Sequence, residues 1–378
     1  MKRNKRLPVS IIIAMGILNL PTAKAEEVAG STVRSTFDEI WGLATLYSSR
    51  DNPLVQKLAF TGRLQYDYAY YDEDDAGHWD DTAWRRARAG FKARILNDFT
   101  VHAEINMDLE NTDPVYDGLT DAYIAWEPGT GWALKIGKQS AGFTHDGATS
   151  SKRLVTTERS VLSDNFWFTR EYFIGASVSG DRDNWSYQAG VFGNEASDEF
   201  ENFGEEDYFL LLSVGHDFGG SLDVDHAILR VDVVLNEESE NPGTKSLEKV
   251  ISLTGQYDNG RYHLGADLTF AESFSGNDLR GLQLMPYVDL NDTFQVVFSY
   301  TYLSSSEDNG LSNGRYQRRL VSGRGDRLQD FYAGLNTYLY GHKLKWQNGI
   351  QYTEMKDNAN DGGEYDGLGF TSAIRLSW

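Results

Sequence analysis

From residue 57 to residue 378 the chain alternates apolar and polar side chains in short runs, and no other feature narrows its fold so far. In FTVHAEINMDLE (99–110), Phe99, Val101, Ala103, Ile105, Met107 and Leu109 fall on one face. His102, Glu104, Asn106, Asp108 and Glu110 fall on the other. A period of two is the signature of a β-strand. The same pattern recurs at 57–70, 84–96, 118–126, 132–139, 171–180, 185–193, 207–218, 222–235, 246–258, 260–272, 279–290, 293–304, 327–340, 342–355 and 366–378, sixteen runs in all. Each is about as long as a tilted strand needs to cross an outer membrane, roughly 9–11 residues.

The links between the runs alternate in length. Tight turns fall at Asn97-Asp98, Glu127 to Gly131, Asp181 to Asn184, Gly219-Gly220, Asp258 to Gly260, Asn291-Asp292 and Gly341. Longer links occupy 71–83, 111–117, 140–170, 194–206, 236–245, 273–278, 305–326 and 356–365. Tight turns at one end and long loops at the other describe an all-β, sixteen-stranded antiparallel transmembrane barrel. A soluble sandwich needs neither that asymmetry nor so many outward apolar faces. Tyr70, Trp84, Trp126, Trp132, Trp185, Tyr302, Trp346 and Trp378, near strand ends, suit interfacial aromatic girdles.

The first residues read differently. Lys2, Arg3, Lys5 and Arg6 precede a short apolar run, Ile11 to Leu20, and Ala23-Lys24-Ala25 forms a small-x-small cleavage site. Residues 1–25 are expected to be a signal peptide for export. Its loss removes five basic residues and takes the formal charge from −21 to about −26. Cysteine is absent, which excludes disulfides and thiolate metal sites. The acidic balance argues against nucleic acid as a partner. No cluster with metal-ligand spacing stands out, and no cofactor is expected. Residues 26–56 lie outside the strand pattern. Phe37, Ile40, Trp41, Ala44 and Leu46 suggest one short amphipathic helix there, in a periplasmic extension or a plug-like segment, followed by the barrel domain at 57–378.

The second run, WRRARAGFKARIL (84–96), aligns Arg86, Arg88, Lys92 and Arg94 on the face opposite Ala87, Ala89, Phe91, Ala93 and Ile95. A charge turned to lipid at mid-membrane costs roughly 2–4 kcal/mol, so the four cations are expected to line the pore. A turn centred near residue 98 sets Lys92 opposite Glu104, Arg88 opposite Asp108 and Arg86 opposite Glu110, making Glu104, Asp108 and Glu110 pore-lining acids. Such a row acts as cross-strand ion pairs, each contributing roughly 0.2–1 kcal/mol, or as one side of a field that draws anions along the wall. The two roles are compatible. Arg63, Lys135, Arg261, Lys343, Lys345 and Arg375 are further expected lumen cations, with Asp67, Asp121, Asp267 and Asp289 as lumen acids. The chain's acidity concentrates instead in links such as DEDD (72–75) and NEESE (236–240).

The link at 140–170 is too long for a hairpin connection. Folded inward, it would narrow a sixteen-stranded pore and place Lys152, Arg153 and Arg159 in the constriction. Folded outward, it would be a cap or a subunit contact.

FTGRLQYDYAYY, RRARAGFKARI, DGLTDAYIAW followed by LKIGKQSAGF, and TSSKRLVTTERS in the third loop together resemble the phosphate-selective porin O and P family of Gram-negative outer membranes. The resemblance is strongest over residues 57–178. It implies a sixteen-stranded barrel, a homotrimer, and a third loop folded into the lumen. It also implies anion passage along wall cations, here Arg86, Arg88, Lys92 and Arg94, and loop cations, here Lys152 and Arg159. The chain departs from the family pattern in its few arginines on later strands and its acidic outer links.

The expected function is passive diffusion of small polar solutes through a water-filled channel that prefers anions, phosphate or other inorganic ions among them. Lipid and lipopolysaccharide of the cell outer membrane would be its surroundings. The alternatives are a non-selective general porin and an outer-membrane barrel enzyme, for which Ser140, His145 and Asp146 form the one suggestive neighbourhood.

Overall fold

The computed structural model describes residues 35–378, apart from 112, 130, 195–198, 200–206 and 241. The expected signal peptide lies outside the described residues. Sixteen antiparallel strands form the barrel, and the notation here numbers them β1 to β16. They are β1 Val55–Glu73, β2 Gly77–Ile95, β3 Phe99–Met107, β4 Tyr116–Trp126, β5 Trp132–Ser140, β6 Tyr172–Arg182, β7 Trp185–Gly193 and β8 Tyr208–Asp217. The series continues with β9 His226–Asn236, β10 Leu247–Asn259, β11 Tyr262–Ser273, β12 Leu279–Asp289, β13 Phe294–Ser305, β14 Arg327–Tyr340, β15 Leu344–Lys356 and β16 Tyr365–Ser377. Each pairs with its chain neighbours, and β16 pairs with β1 from Gly367↔Glu73 to Ser377↔Arg63, so no sheet edge remains open.

Alternation appears directly in exposure. Along β8, Phe209, Leu211, Ser213 and Gly215 are buried while Tyr208, Leu210, Leu212 and Val214 are exposed. The exposed set faces lipid. On β14 to β16, Tyr332 lies against Gly334 and Gly349, and Tyr71 of β1 lies against Gly369. A side chain at either Gly349 or Gly369 would collide with an aromatic ring, so glycine there makes room for inward tyrosines.

Several boundaries differ from the sequence reading. The expected long link 71–83 is a tight hairpin: β1 and β2 run on to Glu73↔Gly77, and Gly77 takes the positive φ (86°) the turn requires. Asp72, Asp80 and Asp81 are exposed on its strands, whereas Glu73 is buried and its carboxylate accepts the N–H groups of Asp75 and Ala76 at the turn. The Gly219-Gly220 turn widens to the link 218–225, which contains one helical turn. At the first periplasmic turn, Leu96 and Asn97 adopt positive φ (50° and 65°), and Ile95 pairs with Phe99. The β2–β3 register is therefore two residues from the expected one: Lys92 faces His102, Arg94 faces Thr100 and Arg88 faces Asn106.

Ahead of the barrel, helix α1 (Thr36–Gly42) buries none of its residues. A short strand, Thr45–Ser48, pairs with the periplasmic end of β1. Leu46 thus belongs to a strand rather than to the helix. Trp41 donates Nε1–H to the Ser377 carbonyl at 2.6 Å.

Candidate pore constriction

The link between β5 and β6, residues 141–171, folds into the lumen. It carries helices α2 (His145–Ala148) and α3 (Val161–Phe166), both N-capped by hydroxyls, Thr144 and Ser160. The barrel wall holds this loop by its backbone on widely separated strands. Arg63 on β1 donates to Ser151 Oγ at 2.7 Å, and Gln65 to the Ser151 carbonyl at 3.0 Å. Asn336 on β14 donates to the Val155 carbonyl at 2.7 Å, Lys345 on β15 to that of Leu154, and Arg375 on β16 to that of Thr157 at 2.8 Å. Asp232 and Asp267 accept the N–H groups of Thr144 and His145 at 3.1 and 2.7 Å.

On one side the loop also packs through apolar contacts. Phe143, Leu162, Phe166 and Phe168 join inward residues of the β7–β13 wall, including Phe192, Phe209, Leu211, Val234, Leu279 and Leu303. Phe168 and Phe209 lie 4.4 Å apart between ring centroids. A Cβ at Gly281 would stand 2.9 Å from Phe166 and 3.0 Å from Leu162, so the helix rests on a bare stretch of β12. The link 306–326 turns inward as well. Leu311 joins the same cluster, and Tyr316 donates to Asp67 on β1 at 2.6 Å. Apolar contact therefore seats both inward links against this half of the wall.

The other half, against β1–β6, is polar. Arg63 pairs with Glu104 at 3.2 Å, and Arg88 with Glu171 at 3.4 Å while also donating to the Tyr172 hydroxyl at 2.6 Å. His102 stands 3.8 Å from Asp121, and Lys135 lies 4.6 Å from the Tyr123 ring centre. Lys152 reaches in from the loop, within electrostatic range of Arg63, Glu104, Asp121 and Arg88, and donates to the Trp378 carbonyl at 3.1 Å. Arg63, Arg88, Lys92, Lys135 and Lys152 thus gather with the acids Glu104, Asp121 and Glu171. Burial and the neighbouring Arg63 push the Lys152 ammonium down to about 8.

The expected site residues divide. Arg86, Arg88, Lys92, Lys152 and Glu104 come together on the polar side. Arg94 instead meets Glu127 and the Asn97 carbonyl at the periplasmic turn. Arg159 is turned onto the loop itself. It donates to the carbonyls of Asp146 and Thr149 at 2.9 and 3.0 Å, pairs with Glu171 at 3.1 Å and covers the Trp167 ring. Arg153 is exposed, within electrostatic reach of His342 near the periplasmic turn. Asp108 and Glu110 do not line the pore, because β3 stops at Met107. Asp108 caps the N–H groups of Glu110 and Asn111, both at 2.9 Å, and Glu110 accepts the Trp84 N–H at 2.8 Å. Lys345 and Arg375 do face inward, but their donors are engaged by the loop backbone. His145 serves as an anchor too, its ring against Gly265 and Nδ1 3.4 Å from Asp146.

Strict alternation would put Arg85 on the face of Ala87 and Ala89. The ladder slips between Gln65↔Arg86 and Tyr66↔Trp84, so Arg85 is a bulge residue and turns inward. Its Nη2 donates to Glu158 of the loop at 2.9 Å, with Nε on the other carboxylate oxygen. Glu158 and Glu171 are held well below the usual carboxylate range by these arginines. The sequence offered one sign of both acids: Glu158 sits inside TTERS, beside an arginine, and Glu171 follows Arg170.

A closed sixteen-stranded barrel with an inward third loop defines the class of outer-membrane porins. Residues 58–207 match the family model of phosphate-selective porin O and P, over the strands and the loop whose motifs resemble it. Among solved structures, the anion-selective porin from Comamonas acidovorans aligns at TM-score 0.59 and 11% identity, covering 85% of this chain and 99% of its own. OmpF of Salmonella typhi, in complex with daunomycin, aligns at 0.61 and 12%, covering 88% and 100%. OmpT of Vibrio cholerae, in a trimer form, aligns at 0.55 and 14%, covering 85% and 99%. No curated protein matches the chain in sequence. The chain is an outer-membrane porin.

Proposed function

We propose that this porin passes small anions in preference to cations, by passive diffusion and without a chemical step. The path runs between the inward loop and the β1–β6 wall, with Arg88, Lys92, Lys135 and Lys152 as its anion-facing groups. The observation that carries the reading is the excess of cations over carboxylates at this constriction in an otherwise acidic chain. The family match and the likeness to a porin described as anion-selective support it. A field from fixed cations beside a wet, narrow path raises the local anion concentration. We also propose a homotrimer, supported by the likeness to a barrel solved in a trimer form.

The test is the reversal potential in a planar bilayer under a salt gradient. Wild type should show anion preference, and charge reversal at Arg88 and Lys92 together should move the potential toward cations. An unchanged potential in that variant would remove these residues from the conduction path, and a wild-type value near zero would make the channel a non-selective porin.

A further inference from the structure

The arginines of the second inward link, 306–326, are employed unequally. Arg318 donates to the Asn313 carbonyl at 2.8 Å, and Arg324 to the carbonyls of Asn309 and Gly310 at 2.7 and 2.6 Å. The guanidiniums of Arg315 and Arg319 make no hydrogen bond and no ion pair among the described residues. Each instead stands off an aromatic ring, Arg315 5.9 Å from the centre of Tyr316 and Arg319 6.0 Å from that of Trp79. Those two rings stack on each other, 6.0 Å between centres and 22° apart in plane. Tyr71 completes the cluster, 5.7 Å from Tyr316.

The cluster stands at the extracellular mouth, because Tyr71 pairs with Trp79 two residues from the β1–β2 turn. Tyr71 and Tyr316 are buried, Trp79 and Arg315 are half-buried, and Arg319 is exposed. The Trp79 indole N–H has no partner among the described residues either. The acids behind the stack are already engaged, Asp67 with Arg375 and Glu158 with Arg85.

Idle guanidiniums beside a partly open indole supply both halves of one recognition. The planar fork of N–H donors matches a carboxylate, and the π-face takes an apolar ring. A separation near 6 Å is the outer limit of a cation–π contact, so neither arginine gives up much in turning to a solute. We propose that the mouth of this porin carries a binding site for small aromatic carboxylates. The ring lies against Trp79, and Arg319 and Arg315 hold the carboxylate. In transport the site rests on the anion-channel reading, where it gathers such solutes ahead of the constriction.

The experiment titrates benzoate, acetate and benzyl alcohol calorimetrically against the detergent-solubilised full chain. Wild type is compared with Trp79→Leu, Arg318→Gln and the double variant Arg315→Gln/Arg319→Gln. Wild type should bind benzoate at least about fivefold more tightly than either acetate, which lacks the ring, or benzyl alcohol, which lacks the charge. Trp79→Leu should bring benzoate down to the level of acetate, the double variant should lose benzoate binding, and Arg318→Gln should match wild type. Equal affinity for benzoate and acetate in wild type, or benzoate binding that survives in the double variant, overturns the proposal. Should Trp79→Leu fail to fold, fluorotryptophan-labelled wild type takes its place. Benzoate, but not acetate, should then shift one fluorine resonance, and the shift should vanish in the double variant; no shift overturns the proposal. Binding needs no conduction, so a wild type without anion preference in bilayers sinks the channel reading and leaves this comparison to stand or fall alone.

Discussion

The two halves of the lumen treat the same inward loop in opposite ways. Against β7–β13 the loop packs through phenylalanine and leucine. Against β1–β6 it is clasped by polar and charged side chains, Arg63 and Gln65 on Ser151 and Arg85 on Glu158, with the exposed Lys92 beside it. The difference lies in the inward residues: Phe192, Phe209, Val234 and Leu303 on one wall, Arg63, Arg88, Lys92 and Glu104 on the other. Apolar contact fixes where the loop sits, while the charges decide what passes beside it. Burial of Leu162 and Phe166 contributes roughly 1.5–3 kcal/mol each, more than most exposed ion pairs would. Position and selectivity can therefore be changed separately.

Removing the partition altogether should have the largest effect. Deleting residues 149–160 takes away Lys152, Glu158 and the backbone carbonyls that Lys345 and Arg375 hold. Single-channel conductance is expected to rise several-fold, and a wild-type conductance would mean the loop does not limit flow. Loosening only the apolar side comes next. Phe166→Ala should weaken loop docking by about 3–5 kcal/mol and produce fluctuating, higher conductance levels with barrel stability little changed. Steady wild-type currents would show that the apolar side does not hold the loop. On the polar side, Lys152 is cationic below about pH 8 and neutral above it. Anion preference should accordingly be full near pH 6 and decline as pH passes 8, and Lys152→Ala should flatten that dependence. A slope that survives in Lys152→Ala would assign it to another group. The smallest change expected is from Tyr316→Phe. It removes one hydrogen bond to Asp67, which keeps its partner Arg375, and should cost about 1 kcal/mol in denaturant unfolding with an unaltered reversal potential. A selectivity change would place the second inward loop in the conduction path.

All sixteen strands were legible in the sequence, most clearly where lipid on one side and water on the other impose a period of two. On β8, Phe209 and Leu211 meet the inward loop and both faces are apolar. The shared face of Arg86, Arg88 and Lys92 follows from the same alternation, but the end of that row, where Arg94 turns to Glu127 and the Asn97 carbonyl, does not. Details that a one-residue irregularity controls were not legible. The bulge that turns Arg85 inward leaves no mark on the alternation, and a positive φ at Asn97 moved the whole β2–β3 register by two. Arg159 looked like a constriction cation, but sequence cannot distinguish a guanidinium facing solute from one clasping its own loop. The cations of NGRYQRRLVSGRGDR (313–327) were visible throughout, yet nothing local indicates that this link turns inward.

The loop's partners also tie the constriction to the closure of the barrel. Ser151 is held by Arg63 on the first strand and Thr157 by Arg375 on the last, while Asp232 and Asp267 secure the helical part from the middle of the chain. These anchors converge only after the cylinder has shut. The narrow bore therefore exists only in the closed cylinder, and whatever opens the seam between β16 and β1 also releases the partition.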